Sequence, residues 1–334
     1  MRIAILHYSK PPVIGGVERV IGDQAAALTA CGHEVRLWSA DESKAFKEML
    51  GQGAVDAVIV HNVFTMPFNL PWTQELIALT HSRPDIRWIN WVHDVRWSAQ
   101  VPAAVHVAVS EFRRKEYARV AKEPIHVIPN GCDAAALLGL TPRVQALKLE
   151  EHAGPVLLQP TRFVRRKNIE LGLRVLAEMP EALYLVTAAP DPHQKDGVKY
   201  FRELKKLAKE LGVEKRVRFL GLEGALSDDD VRSLYQMTDL LFFPSTQEGY
   251  GLPLIEAALH SVPVFCSLIP AHKEVAVAAT FFRLTASPKG LARKIEAHPD
   301  VKARQARRQM MARLSWSRMV HDMLEPLLSG RNAS

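Results

Sequence analysis

Apolar and polar positions along the chain alternate between short β-prone runs and longer stretches with helical spacing. Residues 2–6 form an apolar run that predicts a strand, and a loop rich in proline and glycine follows at 10–16. Apolar residues then recur with helical spacing over 17–31, where Gly32 can close the helix. A second strand is predicted at 34–38. This order of strand, loop, helix and strand is typical of the start of a parallel, doubly wound sheet.

The alternation continues along the chain and weakens only between residues 133 and 154, where we place an interdomain linker. A second series of strands and helices begins at residue 155. We therefore predict an α/β protein with two Rossmann-like domains, at 1–140 and 150–314. A C-terminal helix at 315–330 is expected to pack back on the first domain. Two such halves predict a cleft between them, and open α/β sheets bind ligands at the carboxyl ends of their strands.

Length and composition agree with a folded chain of two domains. The 334 residues exceed what one core usually serves, and 48% of them are hydrophobic. The net charge of +7 is modest for this length, and no run of five basic residues occurs. This pattern favours phosphorylated small molecules over nucleic acid as partners. Peripheral contact with the inner face of a membrane stays open, because a basic helix is predicted at 111–121.

The cysteines and the N-terminal residues bear on the compartment. Cys31, Cys132 and Cys266 are far apart and form no Cys-x-x-Cys pair, which argues against a disulfide framework or a zinc site. The first residues read as a strand and lack the features of a signal peptide. No apolar run is long enough to span a bilayer. These observations predict a cytoplasmic protein.

The most informative stretch for chemistry is 244–256, which leaves an apolar strand, crosses a loop with two glycines and enters a helix. A helix start carries unpaired amides and attracts anions. Gly249 and Gly251 allow close approach of the backbone to a ligand. Glu248 lies in the loop and Glu256 lies one turn inside the helix. The two carboxylates can therefore bind different hydroxyls of one ligand whose phosphates lie at the helix start.

A second stretch, 159–168, lies where the first strand of the second domain ends and its first helix begins. Arg162 and Lys167 are placed to reach the same strand ends. An arginine fork and a lysine point charge can neutralise a pyrophosphate without a metal. Each stretch alone is also compatible with an ordinary solvated connection, and it is their occurrence in one domain that favours a binding site.

Five motifs in order resemble glycosyltransferase family 4, the large retaining family with the GT-B fold, and the resemblance covers nearly the whole chain. The motifs lie at residues 15–19, 109–112, 128–133, 162–167 and 248–256. The resemblance implies two Rossmann-like domains that face each other across a cleft. It also implies transfer of a hexose from a nucleoside-diphosphate sugar, GDP-mannose or UDP-glucose, to a hydroxyl acceptor with retention and without a metal or a further cofactor.

The family resemblance implies roles for particular residues. Arg162 and Lys167 would hold the donor diphosphate, Glu248 would contact the sugar hydroxyls, and Glu256 would bind the ribose. His93 matches the family's active-site histidine beside the reacting sugar. Further donor contacts are implied at Gly16 and at the segment made of Gly249, Tyr250, Gly251 and Leu252. Gly15 and Asp94 are candidates for the acceptor side, and Asp94 is also a candidate for orienting His93.

The chain departs from the family pattern after the predicted strand at 262–266, where the usual glycine pair is replaced by Ile269, Pro270, Ala271 and His272. This leaves the donor sugar open. The acceptor, which can be a sugar, a polyol or a lipid-linked molecule, also stays open, as do the linkage and the oligomeric state.

Three other functions compete with this interpretation. An oxidoreductase needs Gly-x-Gly-x-x-Gly directly after a strand, and the chain has only Gly15 and Gly16, late in the loop. A nucleotide-sugar epimerase or phosphorylase on the same fold and a non-catalytic nucleotide-sugar binding protein stay open.

The acidic run Asp228, Asp229 and Asp230 suggests a metal, but we interpret it as a helix start with Ser227 as its cap.

Overall fold

The computed structural model describes residues 1–96, 98–188, 195–276 and 278–330, and for Lys195 the backbone only. The chain divides into two compact units. Unit 1 comprises Met1–Asp133 and Arg313–Ser334, and unit 2 comprises Ala134–Ala312.

Unit 1 contains a parallel sheet of six strands in the order β2-β1-β3-β4-β5-β6. Its strands are β1 (Arg2–Leu6), β2 (Glu34–Trp38), β3 (Ala57–His61), β4 (Arg87–Val92), β5 (Val105–Ala108) and β6 (Ile125–Val127). Its helices before residue 134 are α1 (Gly16–Ala30), α2 (Ser43–Gly51), α3 (Leu70–Ser82) and α4 (Glu111–Tyr117), with a 3₁₀ turn at Ala40–Glu42.

Unit 2 contains a second parallel sheet of six strands in the order β12-β11-β10-β7-β8-β9. Its strands are β7 (Val156–Gln159), β8 (Leu183–Val186), β9 (Val217–Phe219), β10 (Leu240–Phe243), β11 (Val264–Ser267) and β12 (Thr280–Phe282). The helices are α5 (Ala134–Leu138), α6 (Pro142–Gln145), α7 (Ile169–Ala177), α8 (Lys195–Glu210), α9 (Asp228–Met237), α10 (Leu252–Leu259), α11 (Pro270–Val275), α12 (Pro288–Ala297) and α13 (Pro299–Arg313). Short 3₁₀ turns lie at Leu149–Glu151, Arg165–Lys167 and Leu220–Glu223.

The C-terminal residues return to unit 1 as α14 (Trp316–Met319), a π-helical turn at Val320–Leu324 and α15 (Glu325–Leu328). Trp316, Val320 and Leu327 are buried in the same apolar cluster as Ile3 and Ile5 of β1. This segment therefore covers one face of the unit 1 sheet.

Both faces of each sheet are covered, which explains why the strands read as nearly continuous apolar runs. In β1, Ile3 and Ile5 enter one cluster while Ala4 and Leu6 enter the cluster on the opposite face. The same alternation holds in unit 2, where β10 divides its side chains between two clusters. The predicted fold class, an α/β protein with two Rossmann-like domains, is confirmed by these two parallel sheets.

Two stretches differ from the expected pattern. The predicted helix at 111–121 ends at Tyr117, whose fully buried hydroxyl accepts a hydrogen bond from Asn90 Nδ2 at 3.0 Å. The residues assigned to a linker contain α5 and α6, and Val144 and Leu149 are buried in the core of unit 2. No helix in the described ranges combines the length and the apolar character needed to cross a bilayer.

Candidate functional site

Two loops of unit 2 meet at one edge of its sheet. Strands β7 and β10 are parallel neighbours, so the segments that follow them leave from the same edge. The loops are tied to each other by backbone and side-chain bonds. The amide of Thr246 donates to the carbonyl of Arg166 at 2.7 Å, and Asn168 Nδ2 donates to the carbonyl of Pro244 at 3.2 Å. The two stretches singled out by the sequence thus form one structure.

Glu248 lies at the centre of this structure and accepts three hydrogen bonds. Its Oε1 accepts from Lys167 Nζ at 2.5 Å and from Ser245 Oγ at 2.7 Å, and its Oε2 accepts from Arg166 Nη1 at 3.0 Å. The Glu248 side chain is 6% exposed and that of Lys167 is 13% exposed, whereas Arg166 is 43% exposed. We call Glu248 with Lys167, Arg166 and Ser245 the Glu248 cluster. It is a largely desolvated carboxylate held between two cations.

The cluster keeps Glu248 ionised. Burial by itself raises the pKa of this carboxyl group, but the hydrogen bonds from Lys167 and Ser245 and the positive charge of Lys167 outweigh it, and the net pKa lies below the ordinary value. An ionised carboxylate only accepts hydrogen bonds. Glu248 is therefore suited to bind hydroxyl groups, and Lys167 beside it is suited to bind an anion.

The loop after Glu248 ends at the start of α10, where Gly251 is the cap residue with φ of +105°. An added Cβ at Gly251 would be 3.1 Å from Leu254 Cδ1, so both the backbone conformation and the space favour glycine. An added Cβ at Gly249 would meet nothing within 4 Å. Tyr250 and Leu252 are 55% and 60% exposed. The start of α10 therefore leaves amide groups and a partial positive charge at the surface beside the Glu248 cluster.

Glu256 and Arg162 are not part of the Glu248 cluster. Glu256 is half-buried on α10 and accepts a hydrogen bond from Tyr235 Oη at 2.8 Å. The Tyr235 ring stacks on that of His260 at a centroid distance of 5.5 Å. Arg162 is exposed and makes no ion pair with any residue in the described ranges. The cation that meets Glu248 together with Lys167 is Arg166, which the sequence reasoning did not single out.

In unit 1, His93 follows β4 and is 8% exposed. Its Nε2 lies 2.9 Å from Nδ1 of His61, the last residue of β3, and its backbone amide donates to Asn62 Oδ1 at 2.8 Å. Burial lowers the pKa of His93 to about 3, with a further contribution from the charge of His7. His93 is therefore neutral near pH 7. His61 was missed at the sequence level, although its position at a strand end matches that of His93.

Asp94 does not orient the ring of His93. Its Oδ1 accepts from Arg113 Nη2 at 2.6 Å, and Arg113 also donates to Glu116 at 2.6 Å. The ring of His93 is held by His61 instead. Of the two roles considered for Asp94, the orientation of His93 is wrong.

The start of α1 carries its own carboxylate. Gly15 is the cap residue with extended backbone, and Gly16 is the first residue of the helix. Glu18 in the first turn accepts from Ser9 Oγ at 2.5 Å and lies 3.8 Å from His7 Nε2. A carboxylate therefore already occupies part of the positive end of this helix.

The acidic run on α9 serves the helix start, as predicted. Ser227 Oγ accepts from the amide of Asp230 at 3.1 Å, and the Asp230 carboxylate accepts from the amide of Ser227 at 3.0 Å. This reciprocal pair is a capping box. Among the described residues, no group of three or more His, Cys, Asp or Glu side chains is arranged to hold a metal ion.

Two parallel six-stranded sheets, and a carboxylate paired with two cations at the edge of one of them, define a two-domain protein of the α/β class. Comparison with known families identifies it further. The family described as glycosyl transferases group 1 matches residues 145–310, about half of the chain and most of unit 2. The chain belongs to this family, and the resemblance to glycosyltransferase family 4 is thereby confirmed.

Individual relatives are distant. Mannosylglucosylglycerate synthase of Thermotoga maritima is 26% identical over 204 residues, which are 55% of this chain and 47% of that protein. Mannosylfructose-phosphate synthase of Agrobacterium fabrum is 26% identical over 176 residues, which are 51% of this chain and 37% of that protein. The chain thus spans less than half the length of either relative. The solved sucrose-phosphate synthase from Thermosynechococcus elongatus aligns over 100% of both chains with 18% identity and a TM-score of 0.41.

Proposed function

We propose that this protein transfers a hexose from a nucleoside-diphosphate sugar to a hydroxyl acceptor with retention at the anomeric carbon. The observation that carries this proposal is the Glu248 cluster, which places an ionised carboxylate and a largely buried lysine beside the amides of the α10 start. A sugar diphosphate offers the complementary groups, hydroxyls for the carboxylate and phosphate oxygens for the cations and amides.

The proposed roles in unit 2 are those that the family resemblance implies, and the charge and exposure of the residues are compatible with them. Lys167 and the exposed Arg162 would bind the diphosphate, and the amides from Gly249 to Leu252 would meet phosphate and sugar oxygens. Glu248 would accept hydrogen bonds from hydroxyls of the donor sugar, and Glu256 from those of the ribose. A diphosphate arriving at Lys167 would compete with Glu248 for its ammonium group. The lysine would then bridge the carboxylate and the phosphate.

In this proposal the bond between the anomeric carbon and the phosphate oxygen breaks, and its electron pair stays on the phosphate. The acceptor oxygen bonds to the anomeric carbon from the same face, and its proton passes to the departing phosphate oxygen. Positively charged side chains and amide dipoles fixed in advance stabilise the charge that develops on the diphosphate. Because Lys167 and Arg162 supply that charge, we propose that the reaction needs no metal. Loss of activity with EDTA that manganese restores would contradict this part.

His93 is proposed to bind the primary hydroxyl of the donor sugar, and Gly16 to approach the diphosphate. The carboxylate of Glu18 beside Gly16 would have to be neutralised or displaced for an anion to bind there. Gly15 and Asp94 are proposed on the acceptor side, where Asp94 would act together with its partner Arg113. Both relatives are named for mannosyl products. We therefore propose GDP-mannose as the first donor to test and UDP-glucose as the second.

The test separates sugar recognition from nucleotide recognition. Affinities for GDP-mannose and for GDP are measured by calorimetry on the wild type and on Glu248→Gln, with UDP-glucose and UDP as the second pair. If Glu248 holds the sugar, the variant loses about 10- to 100-fold in affinity for the sugar nucleotide, the amount expected for hydrogen bonds to a charged group. Affinity for the free diphosphate should not fall, because the substitution removes the carboxylate that competes for Lys167.

Glu203→Gln is the matched control, because Glu203 pairs with Arg165 at 2.6 Å but at an exposed position. It should leave both affinities unchanged. Equal losses for GDP-mannose and GDP in Glu248→Gln would contradict the assigned role. Turnover of the donor without any acceptor would indicate an epimerase instead, and donor binding by the wild type without any turnover would indicate a non-catalytic binding protein.

A further inference from the structure

Three buried side chains of unit 1 form a continuous hydrogen-bonded chain that leads to His93. Gln24 lies on α1, His61 ends β3, and His93 follows β4. His61 Nε2 lies 3.0 Å from Gln24 Oε1, and His61 Nδ1 lies 2.9 Å from His93 Nε2. Gln24 and His61 are 0% exposed and His93 is 8% exposed. Both nitrogens of the His61 ring are thus engaged, one on each side.

Gln24, the hydrogen-bond acceptor at one end of this series of side chains, determines which nitrogen of each histidine ring carries the proton. The amide oxygen of Gln24 can only accept, so His61 must carry its proton on Nε2. A neutral His61 then has a lone pair on Nδ1 and can only accept there. His93 must therefore donate from Nε2, which leaves Nδ1 of His93 as an acceptor. Nδ1 has no hydrogen-bond partner among the described residues.

The surroundings hold these rings neutral and in place. The His61 ring stacks on Trp91 at a centroid distance of 5.4 Å and an interplanar angle of 21°. Burial lowers the pKa of His61 well below its ordinary value, with further contributions from the charges of His93 and His7. The carboxylate of Glu18 lies 3.8 Å from His7 Nε2. His7 Nδ1 lies 2.9 Å from the carbonyl oxygen of His61 and so takes part in none of the ring bonds of the chain.

We propose that Gln24 and His61 are positioning residues that hold His93 as the tautomer protonated on Nε2, so that its Nδ1 accepts a hydrogen bond from a ligand hydroxyl. The claim that this hydroxyl belongs to the donor sugar rests on the proposed function. The assignment of the tautomer does not rest on the proposed function. The consequence is selectivity for a group that carries a proton, since a neutral acceptor nitrogen gains nothing from an ether oxygen or a fluorine.

The tautomer is measured directly by ¹⁵N NMR of the ring nitrogens in the full chain labelled at histidine. A protonated ring nitrogen and an unprotonated one differ widely in chemical shift, and His93→Asn assigns the signals. We expect the wild type to show His93 protonated on Nε2. Wild-type His93 protonated on Nδ1 would overturn the proposal. The measurement is made on the wild type and so depends on no variant that could fail to fold.

Two substitutions test the role of Gln24. Gln24→Glu keeps an acceptor toward His61 and should keep the tautomer of His93. Gln24→Leu removes the acceptor and should give a mixture of the two tautomers. Asn90→Leu is the control, because Asn90 is an equally buried amide that bonds to His106 and Tyr117 in the same unit. It should leave the His93 signals unchanged. An unchanged tautomer in folded Gln24→Leu would also overturn the proposal.

Ligand selectivity is tested with GDP-mannose and its analogues that carry hydrogen or fluorine in place of the primary hydroxyl. Both analogues should bind the wild type about tenfold more weakly than GDP-mannose, and by equal amounts, because one neutral hydrogen bond is lost in each case. Clear retention of affinity by the fluoro analogue would show that His93 donates and would refute the assignment. If no sugar nucleotide binds at all, the proposed function fails while the NMR result still decides the tautomer.

Discussion

Substitution of Lys167 by methionine tests how much the Glu248 cluster contributes to the stability of unit 2. Methionine keeps the length of the side chain and removes the ammonium group, which donates to Glu248 at 2.5 Å. The Glu248 side chain, 6% exposed, would keep only its bonds from Ser245 and Arg166. A hydrogen bond to a charged group contributes about 1.5–3 kcal/mol, and loss of one partner of a fully buried pair costs about 3–5 kcal/mol.

Because Arg166 remains and Lys167 is partly exposed, we expect Lys167→Met to lower the free energy of unfolding by about 2–3 kcal/mol. For a unit of this size that corresponds to a fall of about 4–12 °C in the melting temperature. Urea unfolding followed by far-UV circular dichroism measures the free energy, and differential scanning calorimetry measures the temperature.

Arg166→Met is the matched control for this substitution. Arg166 donates to the same carboxylate at 3.0 Å, but its side chain is 43% exposed, so solvent screens the pair and the cost should stay below about 1 kcal/mol. Equal costs for the two variants, or a cost below 1 kcal/mol for Lys167→Met, would refute the view that burial makes Lys167 the main partner of Glu248.

Three further predictions concern other parts of the molecule. Arg308→Met should lower the free energy of unfolding of unit 2, measured in urea, by about 3–5 kcal/mol. Arg308 and Asp239 are each 1% exposed and their charged groups lie 2.9 Å apart, so the substitution leaves the carboxylate buried without its cation. Unit 1 should lose stability as the pH falls, because the pKa of His93 drops from about 6.5 in the unfolded chain to about 3 in the fold, so the unfolded chain takes up the proton first. The free energy of unfolding should be about 2 kcal/mol lower at pH 5 than at pH 8 because of His93. The melting temperature of His93→Asn should therefore fall less steeply with decreasing pH than that of the wild type. Gly251→Ala should lower the free energy of unfolding by about 1–2 kcal/mol and weaken binding of GDP-mannose. Gly249→Ala should have a free energy of unfolding within about 0.5 kcal/mol of the wild type. A wild-type melting temperature for Gly251→Ala would contradict the argument from backbone strain.

The strands were the easiest part to predict. The predicted runs at 2–6 and 34–38 coincide with β1 and β2, and the apolar strand expected before residue 244 is β10. Most side chains of these strands are apolar. In β1 and β10 both faces of the sheet are covered, so these strands carry a continuous apolar signal that needs no knowledge of their neighbours. Local capping was also readable, as at Ser227 and Asp230, because both partners lie within one helical turn.

The partners within the candidate site were not readable in the same way. The basic run of unit 2 offers Arg162, Arg166 and Lys167, and its sequence does not say which of them meets Glu248, more than 80 residues away. The 3₁₀ turn at Arg165–Lys167 directs Arg166 and Lys167 to Glu248, while Arg162 stays exposed. Likewise, the ring of His93 bonds to His61, 32 residues earlier, and not to the adjacent Asp94.

The sequence by itself determined which segments become strands and helices, and which carboxylates, cations and glycines stand at strand ends in unit 2. These features depend on residues close together in the chain, through side-chain periodicity, capping and turn chemistry. Only the tertiary structure decided which charge faces which and which rings are buried deeply enough to stay neutral. Those properties depend on distance and desolvation between residues that are far apart in sequence, and neither follows from spacing along the chain.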